Sequence, residues 1–171
     1  MNYVTKLISA GTIASSLLLG TMVVDTNEVS AKTSAVQKPY YYYNGYTYYN
    51  GSFILDKYFV KALKYDNVKI NGHKINPKAA VGVTGILTKK YDTEFLTDKK
   101  GRLGNIKMMF KPGTVKKSAF MKAHQANHIE DMHENMTGGG YILYKTNKAH
   151  YLVSFNENNY VTSMEIGVIG Q

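Results

Sequence analysis

The spacing of apolar residues changes repeatedly along this chain, and that change limits the fold more than any other feature. From Phe53 to Leu63 apolar side chains recur at helical intervals, whereas Ile106, Met108 and Phe110 occupy alternate positions, as in a strand. The predicted elements, in chain order, are a helix that begins after Ser52 and stops near residues 65–67, a strand at 68–70, strand-forming residues over 80–97, a strand at 106–110, a helix over 115–135 capped by Thr114, and strands at 141–144, 150–155 and 160–168.

The order helix, strands, helix, strands predicts an α+β fold with an antiparallel sheet and helices on one face. It divides the chain into two helix-plus-antiparallel-meander halves that form one small domain. We therefore predict a signal peptide at residues 1–31, a tyrosine-rich extended segment at 32–52 and a single α+β domain at 53–171. The chain contains no cysteine, so its stability must come from the core alone.

The N-terminal segment has the pattern of a cleavable secretory signal peptide. A short basic start ending at Lys6 precedes an uncharged run over residues 7–24, and the small-residue string Val29-Ser30-Ala31 follows. We place the cleavage after Ala31, which leaves Lys32 as the new N-terminus. The alternative is an uncleaved membrane anchor, although glycine, serine and threonine residues dilute the run. After cleavage we expect no membrane insertion and a secreted or surface-associated protein.

Positive charge is unevenly distributed over the exported chain. The whole sequence has a formal net charge of +9 at pH 7, and residues 32–125 hold 18 basic against 5 acidic side chains. Residues 126–171 hold 2 basic against 5 acidic ones. A basic body favours polyanionic partners such as nucleic acid, teichoic-type polymers, glycosaminoglycans or anionic lipid headgroups. Because every basic residue after the signal peptide except Arg102 is lysine, phosphate contact is favoured over base-specific reading.

Tyrosine occupies seven of the ten positions from Tyr40 to Tyr49. The flanking pairs Asn44-Gly45 and Asn50-Gly51 are turn signals, and tyrosine favours strands, so the segment is predicted to be a hairpin or an extended arm. The alternative is a solvated linker whose rings pack on the domain surface. Exposed rings among lysines can hold nucleic acid without regard to sequence, since lysines contact phosphates and rings stack on bases.

The predicted nucleic-acid-binding surface therefore combines tyrosines with lysines that occur singly and in pairs. The alternative for these lysines is a solvated basic surface that only raises solubility. The predicted contact residues are Lys57, Lys61, Lys64, Lys89, Lys90, Lys99, Lys100, Lys107, Lys111, Tyr41, Tyr43, Tyr46 and Tyr48.

Histidine provides the strongest sign of catalytic or metal chemistry, and that sign is weak. His124 and His128 lie four residues apart on the predicted second helix, so one face would present both to a zinc ion. The string resembles the metalloprotease pattern H-E-x-x-H, but Gln125 occupies the general-base position, and glutamine cannot accept a proton from water. The sequence has no nucleophile elbow, P-loop or EF-hand string. We predict a non-enzymatic protein with no catalytic residues, no cofactor and no metal site.

Three strings in the first half of the chain carry a resemblance. They are the tyrosine-rich start at 39–46, the string Phe53-Ile54-Leu55-Asp56 and the stretch from Lys64 to Gly72, in this order and after a signal peptide. Together they resemble the immunodominant staphylococcal antigen B family. The resemblance implies a secreted or surface-associated, virulence-associated antigen that meets host immune components and binds extracellular nucleic acid without sequence preference. The alternative function is a cell-wall or host-matrix protein whose lysines bind teichoic-type polymers or glycans.

Overall fold

The predicted α+β class is confirmed by a computed structural model, which describes residues 38–80 and 85–169. Within these residues the chain forms a seven-stranded antiparallel sheet, a two-stranded parallel sheet and two α-helices. The predicted signal peptide with its cleavage site, and residues 32–37 of the tyrosine-rich segment, lie outside the described residues. The elements are β1 (Tyr41–Tyr43), a 3₁₀ helix (Gly51–Leu55), α1 (Lys57–Lys64), β2 (Val68–Ile70), β3 (Ile86–Lys90), β4 (Thr93–Thr97), β5 (Leu103–Met109), α2 (Lys117–His124), β6 (His128–Glu134), β7 (Gly140–Lys145), β8 (His150–Phe155) and β9 (Val161–Gly167).

The large sheet joins the two predicted meanders into one surface. Its strand order is β3-β4-β5-β9-β8-β7-β6, so the last strand, β9, lies in the interior beside β5. Ile106 and Met108 of β5 are buried in the core that the sheet shares with α1 and α2, whereas Lys107 between them is partly exposed. This alternation gives the sheet one apolar face and one polar outer face.

Tyr41–Tyr43, within the tyrosine-rich segment, form a core strand rather than an exposed arm. β1 pairs in parallel with β2, and α1 lies in the connection between them. Tyr43 is 2% exposed and stacks on Phe53 with 4.0 Å between ring centroids. Tyr41 is also buried, and its ring meets Phe59 edge-on at 5.4 Å. The segment that was predicted to precede the domain therefore contributes to the same core.

Neither of the two predicted helix caps is used. α1 begins after Asp56, not after Ser52, because the Asp56 carboxylate accepts a backbone amide at 2.8 Å while Gly51–Leu55 forms the 3₁₀ helix. The Thr114 hydroxyl donates instead to the Lys111 carbonyl at 2.7 Å, and α2 begins three residues after Thr114 without a side-chain cap.

The second helix is also much shorter than predicted. α2 ends at His124, and His128–Glu134 forms β6, which pairs with β7 at one edge of the sheet. Gly138 and Gly139, with φ of +88° and +77°, turn the chain between these strands instead of breaking a helix. Long-range pairing has thus overridden a local helical pattern. Within the described residues neither helix has the length and apolar composition needed to cross a membrane.

The residues that follow α1 connect three parts of the core. Asp66 adopts a left-handed conformation with φ of +54° that ends the helix, and its carboxylate accepts the Thr146 hydroxyl. The Asn67 side chain donates to the Pro39 carbonyl at 2.9 Å, just before β1. The turn between β7 and β8 reaches α1 as well, because the Asn147 amide donates to a carbonyl of its last turn at 3.0 Å. These contacts give the string from Lys64 to Asn67 a structural role.

Candidate nucleic-acid interface

Three turns meet at one end of the small parallel sheet. They are residues 44–50 after β1, residues 71–73 after β2, and the two-residue turn Tyr91-Asp92 between β3 and β4. The first two meet because parallel strands end at the same edge. The Asn71 side chain joins all three, since it accepts the Gly45 amide at 2.7 Å and donates to the Thr93 hydroxyl at 3.0 Å.

The Asp92 carboxylate fixes the first turn against the third. It accepts the Thr47 amide at 2.8 and 3.0 Å, the Tyr48 amide at 2.7 Å and the Thr47 hydroxyl at 3.2 Å. Thr47 is fully buried. Hydrogen bonds to an ionised acceptor are stronger than neutral ones, so the tyrosines on either side of Thr47 are held in place before any ligand arrives.

Four tyrosine rings project from these turns. Tyr46, Tyr48, Tyr49 and Tyr91 are 51%, 36%, 74% and 44% exposed. The ring centroids of Tyr46 and Tyr91 lie 5.0 Å apart, and those of Tyr48 and Tyr49 lie 4.9 Å apart. The sequence prediction includes Tyr46 and Tyr48 but omits the other two. For Tyr91, the sequence signal of a place in the binding surface is its position directly after Lys89-Lys90.

Lysines lie next to these turns. Lys111 Nζ lies 5.5 Å from the centre of the Tyr49 ring, and the Lys111 amide donates to the Tyr48 carbonyl at 2.8 Å. On the other side, partial burial lowers the pKa of His73, and the nearby positive charges of Lys90 and Lys69 lower it further. We define the tyrosine–lysine face as Tyr46, Tyr48, Tyr49, Tyr91, Lys69, Lys90 and Lys111.

The structure brings four of the predicted contact residues to this face and disperses the rest. The prediction that Tyr41 and Tyr43 contact nucleic acid is wrong, because alternate side chains of β1 point into the core and both rings are buried there. The tyrosine–lysine face contains Tyr46, Tyr48, Lys90 and Lys111. The remaining predicted lysines lie on α1 (Lys57, Lys61 and Lys64), on the turn between β4 and β5 (Lys99 and Lys100) and on the outer face of the large sheet (Lys89 and Lys107).

A row of alternating charges crosses four strands on that outer face. Lys89, Glu94, Lys107 and Glu165 are successive register partners on β3, β4, β5 and β9, and we call this row the charge ladder. Lys89 Nζ lies 2.7 Å from a Glu94 carboxylate oxygen, and Lys107 Nζ lies 3.1 Å from one of Glu165. The carboxylates neutralise both lysines, so these lysines add little attraction for an anion.

His124 is a core residue. A carbonyl oxygen can only accept a hydrogen bond, so Nε2 of His124 donates to the Ile54 carbonyl at 2.9 Å. In the neutral ring the other nitrogen, Nδ1, then accepts the Tyr151 hydroxyl at 2.9 Å. The Tyr151 oxygen in turn accepts the Asn127 side-chain amide at 2.8 Å. Burial lowers the pKa of His124 to about 4, against a smaller opposing effect of the Ile54 hydrogen bond. The ring is therefore neutral at pH 7, and both nitrogens are engaged.

The predicted pairing of two histidines on one helical face is wrong. His124 ends α2, whereas His128 begins β6 and is exposed. The two side chains consequently belong to different elements, one inside the core and one on the surface. Among residues 38–80 and 85–169 no group of three or more histidine, aspartate or glutamate side chains is arranged to hold a metal ion.

Fold and surface together define a class: a small basic α+β protein whose exposed rings are carried by turns with lysines next to them. A model of the immunodominant staphylococcal antigen B family matches residues 40–166, and the chain belongs to this family. The match extends well beyond Gly72, where the last of the three strings that resemble the family ends, and so includes the second half of the chain.

Curated relatives match a shorter part. Over 76 residues the chain is 47% identical to immunodominant staphylococcal antigen B of Staphylococcus aureus strain USA300, and the proteins of strains NCTC 8325 / PS 47 and COL give the same identity. The aligned region covers 44% of this chain and 43% of each relative, so the chain spans less than half the length of these relatives. No solved structure matches the chain.

Proposed function

We propose that this protein is exported, lacks enzymatic activity and binds extracellular nucleic acid, DNA or RNA, without sequence preference through the tyrosine–lysine face. One observation carries the proposal: Asp92 and Asn71 hold together three turns that carry four exposed rings, and Lys69, Lys90 and Lys111 lie next to these turns in the chain. Lysines supply attraction to phosphates, and rings supply surfaces for bases of any identity. Neither contact reads sequence.

The surroundings of the acidic side chains support a non-enzymatic role. Asp92 accepts backbone amides, and Glu94 and Glu165 pair with lysines. Asp98 is bound by Arg102 through its guanidinium at 2.7 Å and its amide at 2.9 Å. Burial alone would raise the pKa of Asp98, but these hydrogen bonds hold it well below its usual range. Each of these four carboxylates thus has a structural partner and is poorly placed to act as a catalytic acid or base.

Export is part of the proposal and rests on the predicted signal peptide. If it is correct, intact protein recovered from the culture medium of an expressing Gram-positive host should begin at Lys32 when its N-terminus is sequenced. A chain that still begins at Met1 and fractionates with membranes would contradict it. The relatives are named as immunodominant antigens, and we propose that this chain, too, is exposed to host antibodies.

The nucleic-acid proposal predicts binding that weakens steeply with salt. Three lysines on a single strand correspond to a slope of log affinity against log salt of about −2. Replacing Lys90 and Lys111 together by glutamine should make that slope shallower by about 1.4, as measured by fluorescence polarisation with unrelated DNA and RNA oligonucleotides. The matched control replaces Lys99 and Lys100, which have the same charge but lie on the distant turn between β4 and β5.

Three results would count against this assignment. An absence of binding at low salt would refute nucleic-acid binding itself. Equal effects of the two double variants would refute the location on the tyrosine–lysine face. Stronger competition by a teichoic-type polymer or a sulfated glycan than by DNA would favour the alternative, a cell-wall or host-matrix protein that binds polyanions through charge alone.

A further inference from the structure

We propose that the tyrosine–lysine face selects unpaired nucleic-acid strands over duplexes. This inference rests on the proposed function and names the form of nucleic acid that the face accepts. Its basis is that the rings offer stacking surfaces, and only a base outside a helical stack has a free face to meet them. Lysine contacts to phosphate are available to both forms, so the rings alone must discriminate.

Neither ring pair on the surface is stacked, whereas some ring pairs in the core are. In the core, Tyr43 stacks on Phe53 at an interplanar angle of 19° and Tyr144 on Tyr151 at 7°, so these rings cover each other's faces. On the surface, Tyr46 and Tyr91 are tilted by 60°, and Tyr48 and Tyr49 meet edge-on at 89°. Tilted and edge-on pairs leave ring faces open to solvent, where a base can stack.

Tyr91 adds a second, independent observation. It occupies the first position of the two-residue turn between β3 and β4 with φ of +56°. This left-handed conformation suits glycine and is costly for a bulky side chain. Strain of this kind collects at binding sites, where the side chain serves a purpose other than stability. Here the strained backbone places the Tyr91 ring beside Tyr46.

The face is also organised before binding. Asp92, the residue after Tyr91, holds the backbone on both sides of the amide bond between Thr47 and Tyr48. The rings therefore need little rearrangement to receive a base. In a duplex, by contrast, each base is covered above and below by its neighbours, so stacking on these rings first requires unstacking, which costs free energy. Single strands avoid that cost.

The test compares the same labelled strand in its unpaired and paired states. Fluorescence polarisation is measured with one labelled single strand of about 12 nucleotides and with the same strand annealed to its complement. Linear polyphosphate serves as a competitor without bases. We expect the single strand to bind about tenfold more tightly than the duplex, which is the contribution of roughly one stacked base. The chain has no tryptophan, so quenching of tyrosine fluorescence by the single strand, and not by polyphosphate, reports stacking directly.

Two variants locate the effect. Tyr49→Leu and Tyr91→Gly should each remove most of the preference for the single strand without changing the salt dependence, and Tyr91→Gly also relieves backbone strain and so should remain folded. Tyr65→Leu is the matched control, because Tyr65 is 41% exposed but lies at the far end of α1. Thermal unfolding confirms that each variant is folded.

The outcomes separate this inference from the function on which it rests. Equal affinity for single strand and duplex, or a preference that survives in both tyrosine variants, would overturn the selection of unpaired strands while leaving nucleic-acid binding intact. An absence of binding to either form at low salt would overturn the proposed function itself. A preference lost in Tyr49→Leu and Tyr91→Gly but retained in Tyr65→Leu would support the inference.

Discussion

Replacement of Tyr43 by alanine is expected to lower the free energy of unfolding by about 3–5 kcal/mol, the range measured for truncation of large buried aromatic residues. Tyr43 is 2% exposed, stacks on Phe53 and donates its hydroxyl to the Tyr46 carbonyl. The substitution removes the ring, its hydrogen bond and part of the packing between β1 and β2. Urea denaturation followed by far-UV circular dichroism measures the change.

Tyr49→Ala is the matched control for this prediction. Tyr49 comes from the same tyrosine-rich segment but is 74% exposed, so its removal should change stability by no more than about 0.5 kcal/mol. A similar small effect for both substitutions would mean that β1 is not part of the core. The comparison therefore separates the tyrosines that hold the fold from those available to a ligand.

The second large effect concerns acid stability and His124. The folded protein holds this ring neutral, with a pKa of about 4, whereas an exposed histidine titrates near 6.5. Below about pH 6.5 this histidine binds a proton in the unfolded chain but not in the folded protein, so the free energy of unfolding decreases as the pH falls. The free energy of unfolding should decrease by about 2 kcal/mol between pH 7 and pH 5 and by about 3 kcal/mol at pH 4.

The physical cause lies in the hydrogen bonds of His124. A protonated Nδ1 would have to donate towards the Tyr151 oxygen, which also receives the Asn127 amide. His124→Gln should therefore be less stable at pH 7 but show a flatter dependence on pH. His73→Gln, at an exposed site, should keep most of the dependence. A parent protein equally stable at pH 7 and pH 4 would contradict the buried, neutral state of His124.

The elements that the sequence predicts correctly are those decided by local alternation. Val68–Ile70, Gly140–Lys145 and His150–Phe155 have buried apolar residues at alternate positions, and each forms a strand. β6 was assigned to a helix because its residues lack this alternation. It is a strand because β7 provides hydrogen-bond partners along its length. No pattern within residues 128–134 reveals that partner.

The candidate site was predictable in composition but not in arrangement. Lysine pairs and clustered tyrosines indicate a polyanion-binding surface, and Tyr46, Tyr48, Lys90 and Lys111 are part of the face. The pairing of β1 with β2 determines which tyrosine rings are buried, and the whole of α1 separates these two strands in the sequence. Tyr91 joins the face only because Asp92 reaches back across the molecule to Thr47. Such contacts between distant residues leave no periodic signal in the sequence.

The charge ladder has a consequence for how a ligand approaches the molecule. Exposed ion pairs of this kind contribute little to stability, but they cancel the electric field above the outer face of the sheet. Lys145 is matched there as well, with its Nζ 3.5 Å from a Glu130 carboxylate oxygen. A polyanion that approaches that side meets lysines already paired with carboxylates, whereas we expect Lys69 on β2, Lys90 at the end of β3 and Lys111 after β5 to attract it. Under the proposed function, the first encounter with a nucleic-acid strand is therefore expected at the tyrosine–lysine face rather than at the outer face of the sheet.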